Sequence, residues 1–106
     1  MKHLITGGSG FLGNLIATRL AEQGEEVIVF DTWQDPNQSK NITFFKGDVT
    51  NKDDVRTALK DVNFVHHNAA LVPLTKSGKK FWDVNVLGSK LMAEEAANTK
   101  SVTSFV

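Results

Sequence analysis

The residues with the most chemical content lie close to the start of the chain, in the segment Thr6-Gly7-Gly8-Ser9-Gly10-Phe11-Leu12-Gly13. Gly8, Gly10 and Gly13 satisfy a G-x-G-x-x-G spacing, and Gly7, Gly10 and Gly13 satisfy G-x-x-G-x-x-G. Glycines let a backbone turn sharply and approach a ligand with no Cβ in the way. A helix opening behind such a loop adds unpaired amides and a partial positive charge. Together these make a seat for a pyrophosphate. An acidic residue, Asp31, follows about 20 residues on, at the distance where a carboxylate can accept hydrogen bonds from an adenosine ribose. No lysine follows Gly13; Asn14 stands there, which argues against a phosphate-loop nucleoside triphosphatase.

Other reactive side chains offer less. His66 and His67 are adjacent, and neighbouring strand residues point to opposite faces, so the two cannot easily ligate one metal ion. They read as buried strand histidines with local partners, and no metal site is expected. His3 reads as isolated, structural or solvent-facing. Lys76, Lys79 and Lys80 form a small basic group that fits a solvated helix start better than contact with a phosphorylated substrate. Trp33 has two open readings, covering an adenine or covering local apolar surface. Phe81 and Trp82 read as packing residues.

The glycine loop needs a strand before it and a helix after it, and the patterning supplies both. Lys2–Thr6 reads as a first strand. Phe11, Leu12, Leu15, Ile16, Leu20 and Ala21 recur at helical spacing up to Gly24, a residue suited to a helix end. Val27–Phe30 is a continuous apolar run typical of a strand buried on both faces. Ile42–Phe45 is a third strand, and Val62–His67 a fourth. Between them, Thr50 with Asp53 predicts a capping box opening a helix that carries Val55, Ala58 and Leu59. A long helix is predicted over residues 79–98, and a fifth strand over Val102–Val106. Strands alternating with helices imply a three-layer α/β fold, a doubly wound parallel sheet of the Rossmann type in the order 3-2-1-4-5.

The 106 residues suffice for one small domain. With 41% hydrophobic and 23% charged residues the chain has the balance of a globular protein, and its zero formal charge gives no pull toward nucleic acid or an anionic membrane. There is no cysteine, hence no disulfide framework, and no apolar run long enough to span a bilayer. A cytoplasmic location is the expectation. The chain also contains no tyrosine.

With these residues in place, the sequence resembles the extended short-chain dehydrogenase/reductase family, the NAD-dependent epimerases and dehydratases of nucleotide sugars. Thr6–Gly13 resembles that family's cofactor loop. Gly47-Asp48-Val49 is similar to its acidic dipeptide after the third strand, whose aspartate meets the adenine amino group. His67-Asn68-Ala69-Ala70 resembles the loop that runs along the cofactor near the nicotinamide ribose. Asp83-Val84-Asn85-Val86-Leu87-Gly88-Ser89 resembles the helix segment whose asparagine supports the catalytic lysine. The resemblance therefore implies NAD as cofactor. It implies Gly7, Gly8, Gly10, Phe11, Leu12, Gly13, Asp31, Asp48, Val49, Asn68, Ala69 and Ala70 as its contacts, and Asn85 as a supporting residue.

The family's Tyr-x-x-x-Lys pair has no counterpart here, and Ser101 and Ser104 fall too early for its catalytic serine. The chain is thus expected to be an incomplete NAD-binding domain, residues 1–106, with the catalytic helix and substrate domain elsewhere in a longer enzyme. In this family the long helix tends to join an intersubunit bundle, so a homodimer is possible on resemblance. Two alternatives stand beside a nucleotide-sugar enzyme: a non-catalytic dinucleotide sensor, and a reductase of hydroxysteroids or flavonoid-like ketones that shares these N-terminal motifs.

Overall fold

The computed structural model describes residues 1–68 and 83–106, with residues 83–85 by backbone only. The elements run β1 (Lys2–Thr6), α1 (Phe11–Glu22), β2 (Glu26–Asp31), β3 (Ile42–Lys46), α2 (Lys52–Ala58) and β4 (Phe64–His67). After these come a π-helical turn (Asp83–Gly88), α3 (Ser89–Ala97) and β5 (Ser104–Phe105).

The five strands form one sheet in the order β3-β2-β1-β4-β5, with every pair parallel. Alternation along the strands builds the two cores. Ile5, Val27, Val29 and Ile42 point to one face, where Ala17, Ile16, Leu20 and Ala21 of α1 cover them. Leu4, Phe30 and Val65 point to the other, beneath Val55 and Ala58 of α2 and Met92 and Ala96 of α3. A parallel sheet needs such cover on both sides, which is why its strands are apolar at consecutive positions. The chain moves outward from β1 to β3 and then crosses back to β4. The crevice of a doubly wound sheet therefore opens where the carboxyl ends of β1 and β4 diverge.

One clasp closes the opposite edge. Lys2 donates its amide to Asn63 Oδ1 at 2.8 Å, and the Asn63 amide returns a bond to the Lys2 carbonyl at 2.8 Å. The Asn63 carbonyl accepts from Thr103 at 2.8 Å, and its side-chain amide donates to the Ser101 carbonyl at 3.3 Å. One residue thus ties β1, the approach to β4 and the approach to β5.

Four expectations are corrected. The predicted capping box at Thr50 and Asp53 does not form: the cap of α2 is Asn51, whose Oδ1 accepts from the Asp54 amide at 3.1 Å. Thr50 instead turns its amide and hydroxyl back onto Asp48. The predicted continuous helix over 79–98 is, within the described residues, a π turn followed by α3. A hydrophobic period of 3.6 cannot register the wider turn, and the change of phase leaves Val86 and Leu87 exposed while Met92 is fully buried. The fifth strand covers only Ser104–Phe105. Val102 packs partly against the core, and Thr103 bonds to Asn63 rather than to the β4 ladder. Finally, helical spacing locates α1 correctly, but Phe11, Leu12 and Leu15 are exposed. The stripe pressed onto the sheet is instead built on the small residues Gly13 and Ala17.

Candidate functional site

The loop after β1 is shaped by contacts that only glycine allows. Gly7 has φ of 65°, a left-handed conformation that costs most residues energy, and its amide still reaches the Phe30 carbonyl at 3.0 Å. A Cβ on Gly13 would lie 2.3 Å from the Gly7 carbonyl oxygen. The first turn of α1 is therefore folded directly onto the loop. The G-x-G-x-x-G spacing is satisfied for a steric reason visible in the structure.

The amides of Gly7, Ser9 and Gly10 are engaged within the chain, so the donors on offer are those of the first turn of α1. Gly10 caps α1 in an extended conformation, with no side chain to accept from the first-turn amides and no acidic residue in that turn. Such amides have no partner within a helix. Ser9 Oγ and Asn14 Oδ1 are buried with no hydrogen-bond partner among the described residues. Both residues line a cleft of about 370 Å³ at the start of α1, together with Gly10, Phe11, Leu15, Thr18 and Asp35. Buried polar atoms are nearly always paired, so these two make the wall of this cleft unusual in its polarity. Phe11 is 92% exposed beside it, a large apolar surface held out at the same place.

Asp31 stands at the carboxyl end of β2, and its carboxylate links the pieces. One oxygen accepts from the Ser9 amide at 3.1 Å, the other from the Thr32 amide at 2.7 Å. The Thr32 hydroxyl also lies 3.5 Å from the oxygen that takes the Thr32 amide, so the acidic residue is held against the glycine loop and the oxygen facing Ser9 retains a lone pair for a further donor. Asp48 lies one strand over, beyond Gly47, whose amide donates to the Asp31 carbonyl at 3.0 Å. Asp48 is exposed, and one of its oxygens accepts from the Thr50 amide and hydroxyl at 2.8 and 2.7 Å. Val49 is different: its side chain belongs to the core, which leaves its backbone as the part open to a ligand. Asn68 donates its amide to both the carbonyl and the hydroxyl of Thr6, at 3.1 and 2.9 Å. Asn85 lies in the π turn, its side chain outside the described residues, as are Ala69, Ala70, Lys76, Lys79, Lys80, Phe81 and Trp82.

The histidines separate as strand alternation predicts. His67 faces Ser89 and Thr6, while His66 faces His3, Nε2 to Nδ1 at 3.1 Å. Burial pushes the pKa of both His66 and His67 below the usual value, and for His66 the facing charge of His3 adds to it. His3 is neither isolated nor solvent-facing. It is 7% exposed, stacks on Phe64, and its Nε2 lies 3.2 Å from Glu25 Oε1. That bond holds the Glu25 carboxyl below its ordinary range. Single-sequence reading missed this cluster because its members are about 20 and 60 residues apart and only the sheet register joins them. It likewise missed Ser9 and Asp35, which carry no motif signal beyond lying near one. Among the described residues no group of three or more His, Cys, Asp or Glu could hold a metal ion, and no helix is long and apolar enough to cross a membrane.

Sheet order, glycine loop and carboxylate at the second strand define a Rossmann-type unit of the short-chain dehydrogenase/reductase kind. Residues 4–106 match the 3-beta hydroxysteroid dehydrogenase/isomerase family, and the chain belongs to it. It is 39% identical to the mouse (Mus musculus) sterol-4-alpha-carboxylate 3-dehydrogenase, decarboxylating, over 88% of this chain and 25% of that protein. It is 31% identical to a UDP-glucose 4-epimerase of Streptomyces lividans over 88% of this chain and 31% of that protein. Among solved structures, the complex of a Thermus thermophilus UDP-glucose 4-epimerase with NAD superposes with a TM-score of 0.86 at 28% identity, covering 98% of this chain and 36% of that one. The chain spans about a quarter to a third of the length of these curated relatives. The expected kinship with nucleotide-sugar epimerases is therefore shared with sterol dehydrogenases.

Proposed function

We propose that the chain is the NAD-binding portion of an NAD-dependent oxidoreductase that acts on a secondary carbinol. The observation that carries this is the uncapped start of α1, with the Ser9 hydroxyl beside it, unpartnered among the described residues, and Asp31 held against the same loop. The amides of Gly8, Phe11, Leu12 and Gly13 take the pyrophosphate at the positive end of the helix, while Gly7 and Gly10 shape the loop, their own amides donating to the Phe30 and Gly7 carbonyls. Asp31 accepts the adenosine ribose hydroxyls. Asp48 meets the adenine amino group, with Val49 contributing backbone, and Asn68, Ala69 and Ala70 follow the cofactor toward its nicotinamide end. When bound, NAD supplies the hydride acceptor. The chain's own residues bind and orient it, and Asn85 supports a base located elsewhere in the protein. With no tyrosine, the chain by itself is expected to give no turnover.

NAD is the expected choice over NADP. A 2′-phosphate about 4 Å from Asp31 would meet a repulsion on the order of 1–4 kcal/mol. Thr32 and Trp33, the residues that follow Asp31, supply no arginine to offset it. Calorimetric titration with NAD and NADP tests the reading. Tighter binding of NAD supports it, and no binding or equal binding of the two overturns it.

For the substrate, the family match and the higher identity to the sterol dehydrogenases favour a sterol-like 3-hydroxy carbinol. A nucleotide sugar is the second reading, supported by the close superposition on the epimerase. In the whole protein, NADH formation with a 3β-hydroxysteroid but not with a UDP-sugar distinguishes the two. The reverse result would sink the first.

A further inference from the structure

Thr6 is the last residue of β1, fully buried, and the next residue is the left-handed Gly7 that begins the loop. Directly across the β1–β4 ladder from Thr6 stands His67. Its Nδ1 lies 2.7 Å from the Thr6 hydroxyl, and its Nε2 lies 2.9 Å from the hydroxyl of Ser89, the first residue of α3. The Thr6 hydroxyl also accepts from the Asn68 amide at 2.9 Å. The ring is braced on its flank by Phe105, stacked at 6.0 Å, and its backbone amide donates to the Val106 carbonyl at 2.9 Å.

We propose that His67 is a positioning residue for the glycine loop: through the Thr6 hydroxyl it sets the direction in which the chain leaves β1, and so where the loop amides point. The inference rests on the cofactor reading above. Burial lowers the His67 pKa, so the ring is neutral near physiological pH, with one nitrogen donating and the other accepting. Hydroxyls suit both roles, so Thr6 and Ser89 satisfy the ring in either tautomer. Tied at both nitrogens, the imidazole has no rotation left, and a rigid partner holds Thr6 in one orientation. Donors fixed before a ligand arrives bind it without a further ordering cost. A loop pivoting at Thr6 would bear that cost on every binding event.

The two ring nitrogens allow a clean dissection, because an asparagine amide reaches the Nδ1 position and a glutamine amide the Nε2 position. His67→Asn keeps the partner of Thr6 and loses Ser89. His67→Gln does the reverse, and His67→Phe keeps the ring and loses both. NAD affinity of each is measured by calorimetry well below its Tm, beside a thermal melt. The expected result is that Asn stays within about twofold of wild type, while Gln and Phe weaken NAD by about three- to tenfold. A merely structural histidine would lower the Tm of all three and leave the affinity of the folded protein unchanged, which overturns the inference. Rescue by Gln rather than Asn also overturns it. If His67→Phe does not fold, Thr6→Val and Thr6→Ser probe the same hydroxyl: loss with Val and retention with Ser support the proposal, and equal affinity sinks it. Failure of the wild type to bind NAD overturns the underlying cofactor reading, whereas wild-type binding with indifferent variants overturns this inference alone.

Discussion

Two helices of this protein begin in opposite ways. α2 opens under Asn51, whose side chain accepts from the Asp54 amide, and carries Asp53 and Asp54 in its first turn. One oxygen of Asp54 reaches back to the Asp48 amide at 3.1 Å. Its donors and its dipole are answered from within the chain. α1 opens under Gly10, with no side-chain cap and no acid in its first turn. With glycine at the cap, α1 gives up only a few tenths of a kcal/mol, roughly, relative to a side-chain cap, and leaves its first-turn amides open. The difference teaches that an uncapped helix start is informative when a neighbouring helix of the same chain is capped. The anion at α2 is built in; α1 carries none of its own, as the proposed cofactor reading requires.

The largest test of this contrast removes the close approach that exposes the α1 amides. Gly13→Ala places a methyl against the Gly7 carbonyl and the Gly8 backbone, neither of which is a flexible side-chain end. We expect a loss of about 3 kcal/mol in urea unfolding, with NAD binding abolished. Unchanged stability would mean that the loop is not folded onto the helix as described. Next, Asp31→Asn should weaken NAD and narrow its advantage over NADP by about 1–4 kcal/mol, read in paired titrations. An unaltered NAD-to-NADP ratio would remove Asp31 as the selector. The capped helix supplies the control. Asn51→Ala should cost about 1 kcal/mol in denaturant unfolding while leaving NAD affinity alone. If it weakened NAD as much as the Asp31 change, the two helix starts would not be functionally distinct.

The far end of α1 gives the smallest effect, through pH. His66 has its pKa lowered by burial first and by the charge of His3 second. The unfolded chain then takes up protons more readily, so stability is complete above the ordinary histidine value of 6.5 and is lost as pH falls below it. His67 acts in the same direction. Glu25 adds a separate, more acidic window, with its contribution present above 4.5 and lost as pH falls through its lowered value. His66→Phe should flatten the dependence of the urea midpoint on pH between about 6.5 and 5. A slope identical to wild type would assign the acid sensitivity elsewhere.

The sheet, its order and the glycine loop are legible in the sequence because each rests on local pattern: four of the five strands stand close to their predicted bounds, and the loop lies between strand and helix as its spacing requires. Asp31 is legible for the same reason, as the residue where an apolar run stops. What the sequence conceals depends on distant partners or on a break in period. The choice of Asn51 over Thr50 as cap turns on Asp48, which captures the Thr50 hydroxyl. The π turn is invisible to a helical period, and β5 is short, with Thr103 bonded to Asn63 before it and Val106 bonded to Val65 and His67 after it. The polar Ser9 draws no attention because its neighbours are glycines, yet its buried hydroxyl has no hydrogen-bond partner among the described residues.

The Asn63 clasp also bears on the order of events in folding. β1 pairs with β2 across α1 and β2 with β3 across one loop, whereas β1 meets β4 only across a separation of about 60 residues, bridged at its edge by the mutual Lys2–Asn63 bonds. Closing so long a segment carries an entropic cost that nearby contacts avoid, and sheets built on distant pairings form slowly. The half of the molecule that holds the glycine loop and Asp31 should therefore assemble first, with β4 inserting late beside β1 and Asn63 locking the edge. In pulsed hydrogen exchange the amides of β2 would gain protection before those of β4. On that timetable the glycine loop is shaped by β1, α1 and β2 before His67 arrives to hold it.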